Sequence, residues 1–567
     1  MAAEVKWCGG SEVSEVKQRR TGNTHGGCSS MSSSCSSSPS RKLLGGVIVA
    51  LLSLYLLYFA GSGSFPLTDA DETVYGQVAK EMAGGDWLTP HYLGQPWFDK
   101  PPLCYWLMAA STTVWGPNEL SARLPSALMA VALLLLVYAL TAFDFGRRAG
   151  LLAAVVMATC FQQIILAHAA VTDMTLAVTL LGALYGVRRW LAAAEGRSRL
   201  GWALWAGAFV GLATLTKGPV AMVLVGLALL VHLALTRQLG RLLSPDAGAA
   251  VLAALLVAGP WYATMYWLHG DQFVQGFLVA NNLTRFLKAE HVEWTGGWYS
   301  YFVNIPVLLL YFLPWSVFLP QAVARLGRAN EGARLAVTWS AVIFVFFSLS
   351  KTVLVTYIFP VFPTAALLVG AWWGQREEGR PGEERGLRGG LWVDAAIGVL
   401  LLAGVLLVGR KYQPETLAQG AMLPAILLVA VVVALLGVRR HGGRALGAIP
   451  VGMVVFTCWL VFAIMPLASP WVTLKPLLDR LPSDSRARVV SFGCRYASLD
   501  YYGGGRVEYV DEAESVKQLL SGPGTVFVIC RQREEQAIRT SSTTVWAKSG
   551  RWELLTNRPS VSPRPGE

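Results

Sequence analysis

Charged residues are scarce in this chain. Asp, Glu, Lys and Arg make up 14% of its 567 residues against 54% hydrophobic ones, a balance that excludes a single soluble globule. The eight cysteines are scattered with no C-x-x-C spacing, which excludes a zinc knuckle and a disulfide framework. Three of them, Cys8, Cys28 and Cys35, fall in an N-terminal tail whose SSMSSSCSSSPS stretch is low in complexity and expected to be disordered. Histidine is sparse too, and none follows His441, so the C-terminal part has no imidazole to offer a metal. No small-residue cleavage signature follows the first apolar run. Leu43 to Ala60 therefore reads as a signal anchor and not as a removed leader.

What is abundant is apolar sequence in runs of roughly 17 to 25 residues, the length that crosses a hydrocarbon core. About thirteen such stretches can be marked. They begin near Leu43, Leu120, Leu151, Met174, Trp202, Pro219, Ala249, Tyr301, Leu335, Val353, Leu391, Leu423 and Pro450. The net charge of +12 would suggest nucleic acid in a soluble chain, but here the basic residues gather in alternate loops. Arg147 and Arg148, Arg188 to Arg199, Arg237 and Arg241, Arg325 to Arg334, Arg376 to Arg388 and Arg439 to Arg444 mark one face, which the positive-inside rule makes cytoplasmic. The expectation is an α-helical polytopic protein of the cell (inner) membrane with no nucleic-acid partner. It divides into a disordered cytoplasmic tail at 1–42, a transmembrane domain at 43–470 and an extracytoplasmic α/β domain at 471–567 with a disordered end. In that last part ARVVSFG, VEYVDE and GTVFVICR read as strands, ASLDYYGG and EAESVKQLLSG as helical or turn segments. It reads as a packing or acceptor-docking cap, because no nucleophile and base stand out in it.

By the same arithmetic the loop 62–118 lies outside. Its core, TDADETVYGQVAKEMAGGDWLTPHYLGQPWFDKPPLCYW from Thr68 to Trp106, holds six carboxylates and two lysines. Ionisable groups beside a bilayer are costly unless they pair or do chemistry, so Asp69, Asp71 and Glu72 mark a candidate site. Asp99 and Lys100 precede a rigid Pro-Pro and an aromatic run suited to the interface. The turns around Asp173, Lys217 and Lys351 fall on the same face.

These motifs resemble a known family. DE in the first external loop, then GDW, then a carboxylate followed by K-P-P-L-x-Y-W is similar to the bacterial lipid A aminoarabinose transferases and their protein O-mannosyltransferase-like relatives. These are GT-C superfamily enzymes of the glycosyltransferase family 83 type. TDM at Thr172 to Met174, LTKGP at Leu215 to Pro219, Arg285 and Phe286 followed by His291, and SLSKTVLVTYIFPVFP at Ser348 to Pro363 continue the family's order. The likeness covers roughly residues 43 to 370 in detail.

The resemblance implies transfer of a sugar from a polyprenyl phosphate to an acceptor hydroxyl on a lipid, glycan or protein, at the external face and among membrane lipids. Such a displacement needs a carboxylate to take the acceptor proton and cations to stabilise the departing phosphate. Asp71 then resembles the general base, although an acid there also caps a helix start. Glu72 is its companion, as base or as a hydrogen-bond acceptor for loop groups. Lys100 is expected to face phosphate; Lys217 is expected to do so or to anchor to headgroups. Tyr357 and Lys351 come from the SK-x-x-x-x-TY match, and Arg285 adds charge. Asp173 orients sugar or acceptor, or simply caps its helix. Asp99 and His291 resemble positions that hold a divalent metal, the one cofactor the likeness raises, but two ligands do not close a zinc site. Relatives often carry an arginine three residues after the first acid of DE, where this chain has Val74. A transporter or flippase of a lipid-linked solute is the competing reading. Against it, the acids lie at span ends on one side, and the sequence shows no internal repeat.

Overall fold

The computed structural model describes residues 39–284, 298–327, 330–376, 381–482 and 487–558. A short unit ends at Ala50, and a second, compact unit runs from Leu51 onward. Arg285 and His291 lie outside the described residues, as do the tail through residue 38 and the end from 559.

Helix dominates. α1 (Pro39–Tyr58) is followed by two short helices, α2 (Asp71–Ala83) and α3 (Leu103–Trp115), that belong to the long first loop. Then come α4 (Glu119–Phe145), α5 (Arg147–Ala158), α6 (Phe161–Ala167), α7 (Thr172–Ala192), α8 (Arg197–Lys217), α9 (Val220–Leu235) and α10 (Pro245–Phe273). Among the described residues five helices are long and apolar enough to cross a membrane. The number is seven if each of two bent pairs is one span: α5 with α6, bent by 65°, and Asn304–Tyr311 with Ser316–Leu326, bent by 110°. The expected starts fall on or within a few residues of a helix start or interior, except the one near Val353, which lies in a turn before the helical residues from Phe359. Several of these helices are shorter, bent or more polar than the expectation of plain spans allowed. α7 shows why a helix here need not be apolar on its whole surface: it is buried along nearly its entire length, so protein and not lipid surrounds it.

Close approach depends on small residues. A Cβ on Gly370 would sit 2.2 Å from the backbone of Ala153, so the helix Phe362–Gly374 packs against α5 at a distance only glycine permits.

The last part is α/β, as the sequence suggests. Five strands, β3 (Arg488–Phe492), β4 (Val507–Val510), β5 (Val526–Arg531), β6 (Thr544–Ser549) and β7 (Trp552–Thr556), form one sheet in the order β4-β3-β5-β7-β6; β1 (His91–Tyr92) and β2 (Gln95–Pro96) pair separately in the first loop. β3 pairs parallel with β4 and β5, while β7 is antiparallel to both β5 and β6. β5 is apolar and buried from Val526 to Cys530 because both faces are covered. Phe527 and Ile529 enter the core that contains Leu474 and Trp552, and Val526, Val528 and Cys530 the core under the helix Ala513–Ser521. The β6–β7 hairpin is the part the sequence reading does not include.

Candidate active site

Two antiparallel helices of equal length put an acid and a base of distant sequence side by side. α7 and α8 are 21 residues each and are joined by the segment 193–196, so the start of one returns to the level of the end of the other. Asp173 sits in the first turn of α7 and Lys217 is the last residue of α8. Their side chains meet at 2.7 Å and both are mostly buried. Each charge also complements its helix dipole. Gly218, at φ 93°, ends α8 in a conformation that favours glycine, and Pro219 opens α9; this accounts for the K-G-P order. The Lys217 ammonium lies 4.9 Å from the centre of the Tyr357 ring.

The first loop closes over this pair. Asp71 is the first residue of α2, where the helix N-terminus favours a carboxylate. Asp99 and Lys100 pair at 2.7 Å. The loop that bears them is tied down by indole N–H groups: Trp106 donates to the Leu88-adjacent carbonyl of Trp87 at 2.6 Å and Trp261 to that of Leu88 at 3.0 Å. Asn281 donates to the carbonyl of Phe98 at 3.2 Å. The result is a cleft of about 120 Å³ lined by Asp71, Asp99, Lys100, Asp173, Lys217 and Tyr357 together with Tyr75, Asn281 and Phe347. Asp71 remains accessible from the cleft. Burial in this concave site pushes its carboxyl above the ordinary aspartate range; Lys100 and Lys217 pull it back, and Asp173 and Asp99 push it further up.

Glu72 does not share this cleft. Its carboxylate is buried and wholly occupied: Oε1 accepts from Arg123 Nε and the Ala170 N–H, each at 2.8 Å, and Oε2 from Arg123 Nη2 at 2.8 Å and from the N–H and hydroxyl of Thr68 at 2.9 Å. Arg123, with no exposed surface, spends its remaining N–H groups on the carbonyls of Ser62, Phe65 and Pro66. Burial alone would raise the Glu72 carboxyl, but the Arg123 charge and these hydrogen bonds outweigh it and hold it below its ordinary value. Of the two roles expected of Glu72, these contacts are those of a hydrogen-bond acceptor for loop groups. Lying between Asp71 and the Ala170 amide three residues before Asp173, the clamp fixes where the two acids stand relative to each other. Arg123 was not among the expected residues; an arginine just inside an apolar run was its only signal.

Lys351 stands apart from the cleft. It is exposed and is not among the residues that line the cleft, whereas Tyr357 of the same motif is. For a metal, the described residues contain no group of three or more His, Cys, Asp or Glu placed to hold one. Asp99 is turned to Lys100.

The C-terminal domain grips the same loop. Asp69, two residues before Asp71, accepts from the Ser498 N–H at 2.7 Å and from its hydroxyl at 2.5 Å, at the start of the helix Ala497–Gly503. Tyr502 accepts from the Leu67 N–H at 2.7 Å and donates to Glu119 at 3.1 Å, and Asp500 accepts from the Tyr92 hydroxyl.

The fold is shared with solved structures. The crystal structure of ArnT from Cupriavidus metallidurans bound to undecaprenyl phosphate superposes with a TM-score of 0.79 at 21% identity, covering 93% of this chain and all of that one. Residues 99–267 match the family model for dolichyl-phosphate-mannose-protein mannosyltransferase. An undecaprenyl phosphate-α-4-amino-4-deoxy-L-arabinose arabinosyl transferase of Pseudomonas aeruginosa (strain UCBPP-PA14) is 30% identical over 74% of this chain and 75% of its own length. Another so named, from Pseudomonas fluorescens (strain Pf0-1), is 32% identical over 58% of this chain and 57% of its own length. The chain belongs to the family of these aminoarabinose transferases, within the GT-C superfamily.

Proposed function

We propose that this protein transfers a sugar from a polyprenyl phosphate to an acceptor hydroxyl at the membrane face that carries residues 62–118, which we place outside the cytoplasm. The donor class we assign is an undecaprenyl phosphate-linked amino pentose, as in the names of the relatives, and the acceptor a saccharolipid of the lipid A type. The observation that carries the reading is the convergence of an acid, two lysines and a tyrosine from four separate chain segments on one cleft at the helix ends.

In this reading Asp71 takes the proton of the acceptor hydroxyl as its oxygen bonds to the anomeric carbon. The bond from that carbon to the phosphate oxygen breaks in the same step. Lys100 and Lys217 meet the charge that develops on the departing phosphate, with Tyr357 beside Lys217 able to donate to it. The raised carboxyl of Asp71 suits a base that must first be free of its proton at neutral pH yet hold the one it takes. A midplane transport site is poorly supported by acids placed at helix ends.

The test is Asp71→Asn, which keeps size and hydrogen bonding but removes basicity. Turnover with a polyprenyl phosphate-linked sugar should fall by about 10² or more while donor binding survives. Near-normal turnover in that variant would refute the assignment.

A further inference from the structure

A cavity of about 730 Å³ lies apart from the candidate catalytic cleft. It lies at the other end of the helices. α7 runs from Asp173 at the cleft to Arg188, a distance of roughly 23 Å at 1.5 Å per residue. There Arg188 pairs at 2.6 Å with Asp144, at the end of α4, just before α5 begins at Arg147. Arg148 of α5 lines the cavity together with Arg376, Arg439, Arg440, Arg444 and Glu384.

Positive residues on this face are expected from topology alone. What topology does not require is a built recess among them. Its wall is fixed: the Trp373 indole donates to the Gly443 carbonyl at 2.9 Å, and the Arg376 guanidinium lies 4.5 Å from the Trp372 ring centre. Its lining is also amphipathic. Arg148, Leu152 and Val155 follow one another at i, i+4 and i+7 along one face of α5, so the surface passes from guanidinium to hydrocarbon over about 10 Å of depth. Leu387 lies one turn beyond Glu384 in the same way.

We propose that this recess is a binding site for an anionic glycerophospholipid, whose phosphate meets the arginines and whose acyl chains run along the apolar wall. Basic pockets between helices at the headgroup level suit that chemistry. A soluble phosphate compound would use the arginines but leave the apolar wall unmet.

The full chain in nanodiscs of phosphatidylcholine doped with phosphatidylglycerol tests this, with the bound lipid read by native mass spectrometry. Two variants attack the site by different routes. Gly447→Phe fills the recess without altering charge; a Cβ at Gly447 meets nothing within 4 Å, and its backbone is helical, so the residue is accepted. The triple change Arg148→Ala, Arg439→Ala and Arg440→Ala removes the charge. Each should lower phosphatidylglycerol retention about tenfold or more, while Arg197→Ala with Arg237→Ala, which removes charge elsewhere on the same face, should leave it unchanged. Unchanged retention in both site variants overturns the proposal, and so does an equal loss in the control pair, which would mean diffuse surface charge. Displacement of the lipid by millimolar inorganic phosphate would overturn it in favour of a soluble ligand.

Discussion

Adjacent residues in the motif DE do opposite things, and pH separates them. As the proposed base, Asp71 would work only when deprotonated, so activity should be lost as pH falls through its raised pKa, and the acid limb of kcat/KM should lie above the ordinary aspartate range. The neighbours give the sign of two further shifts. Lys100→Ala removes a cation that favours the carboxylate and should move the limb to higher pH in the residual activity; Asp173→Asn removes a like charge and should move it lower. Profiles that move together, or not at all, would take Asp71 out of the base role. Glu72 is a matter of stability instead. Arg123→Ala leaves a buried carboxylate without its partner, a loss of about 3 to 5 kcal/mol, visible as a lowered thermal midpoint in detergent. Sequence could not tell the two acids apart, because consecutive helical residues differ by about 100° in direction and nothing local says which direction holds the cleft. Lys351 and Tyr357 differ for a similar reason, since the turn between them is not helical and carries one side chain outward and the other in.

At the scale of elements, Asp173, Lys217 and Lys100 were legible because each stands at the end of an apolar run or beside Pro or Gly, where the chain must turn at the membrane surface, whereas Tyr357 was legible only through the motif match. That they meet is a property of helix lengths and not of any motif. The C-terminal helix Ala497–Gly503 was readable as an element, but its hold on Asp69, 429 residues earlier, has no local trace. Asp69→Ala removes charge-assisted bonds that contribute about 1.5 to 3 kcal/mol each and should free the C-terminal domain to limited proteolysis. Ser498→Ala keeps the N–H bond and loses the one from the hydroxyl, so it should cost about 1.5 to 3 kcal/mol, less than Asp69→Ala. Equal protease resistance of Asp69→Ala and the parent would show that other contacts suffice for docking. The β6–β7 hairpin was legible in TVWAKS and WELLT about a two-residue turn, Gly550 and Arg551, yet such short alternating runs near a chain end resemble many loops.

For the whole molecule, apolar length and the spacing of arginines anticipated the helical body and a common face for the charged turns, and the cleft agrees with the latter. Crossing number was less accessible, because bent pairs and protein-enclosed helices do not obey a length rule written for lipid. The orientation proposed above makes cysteines introduced at Gly94 and Ser521 reactive to an impermeant reagent from outside, and one at Arg197 reactive only after permeabilisation. The reverse pattern would invert the assignment of faces.

The equal lengths of α7 and α8 carry a consequence for how this chain can change by insertion and deletion. Losing one residue between Ala177 and Val187 would turn Asp173 by about 100° about the helix axis and draw it back by about 1.5 Å, parting it from Lys217 as surely as a substitution would. Adding a residue between Ala193 and Gly196 leaves both helices in phase. Length variation in this hairpin is therefore silent at its tip and disabling along its shafts, and a scan of single-codon deletions through it should trace that boundary.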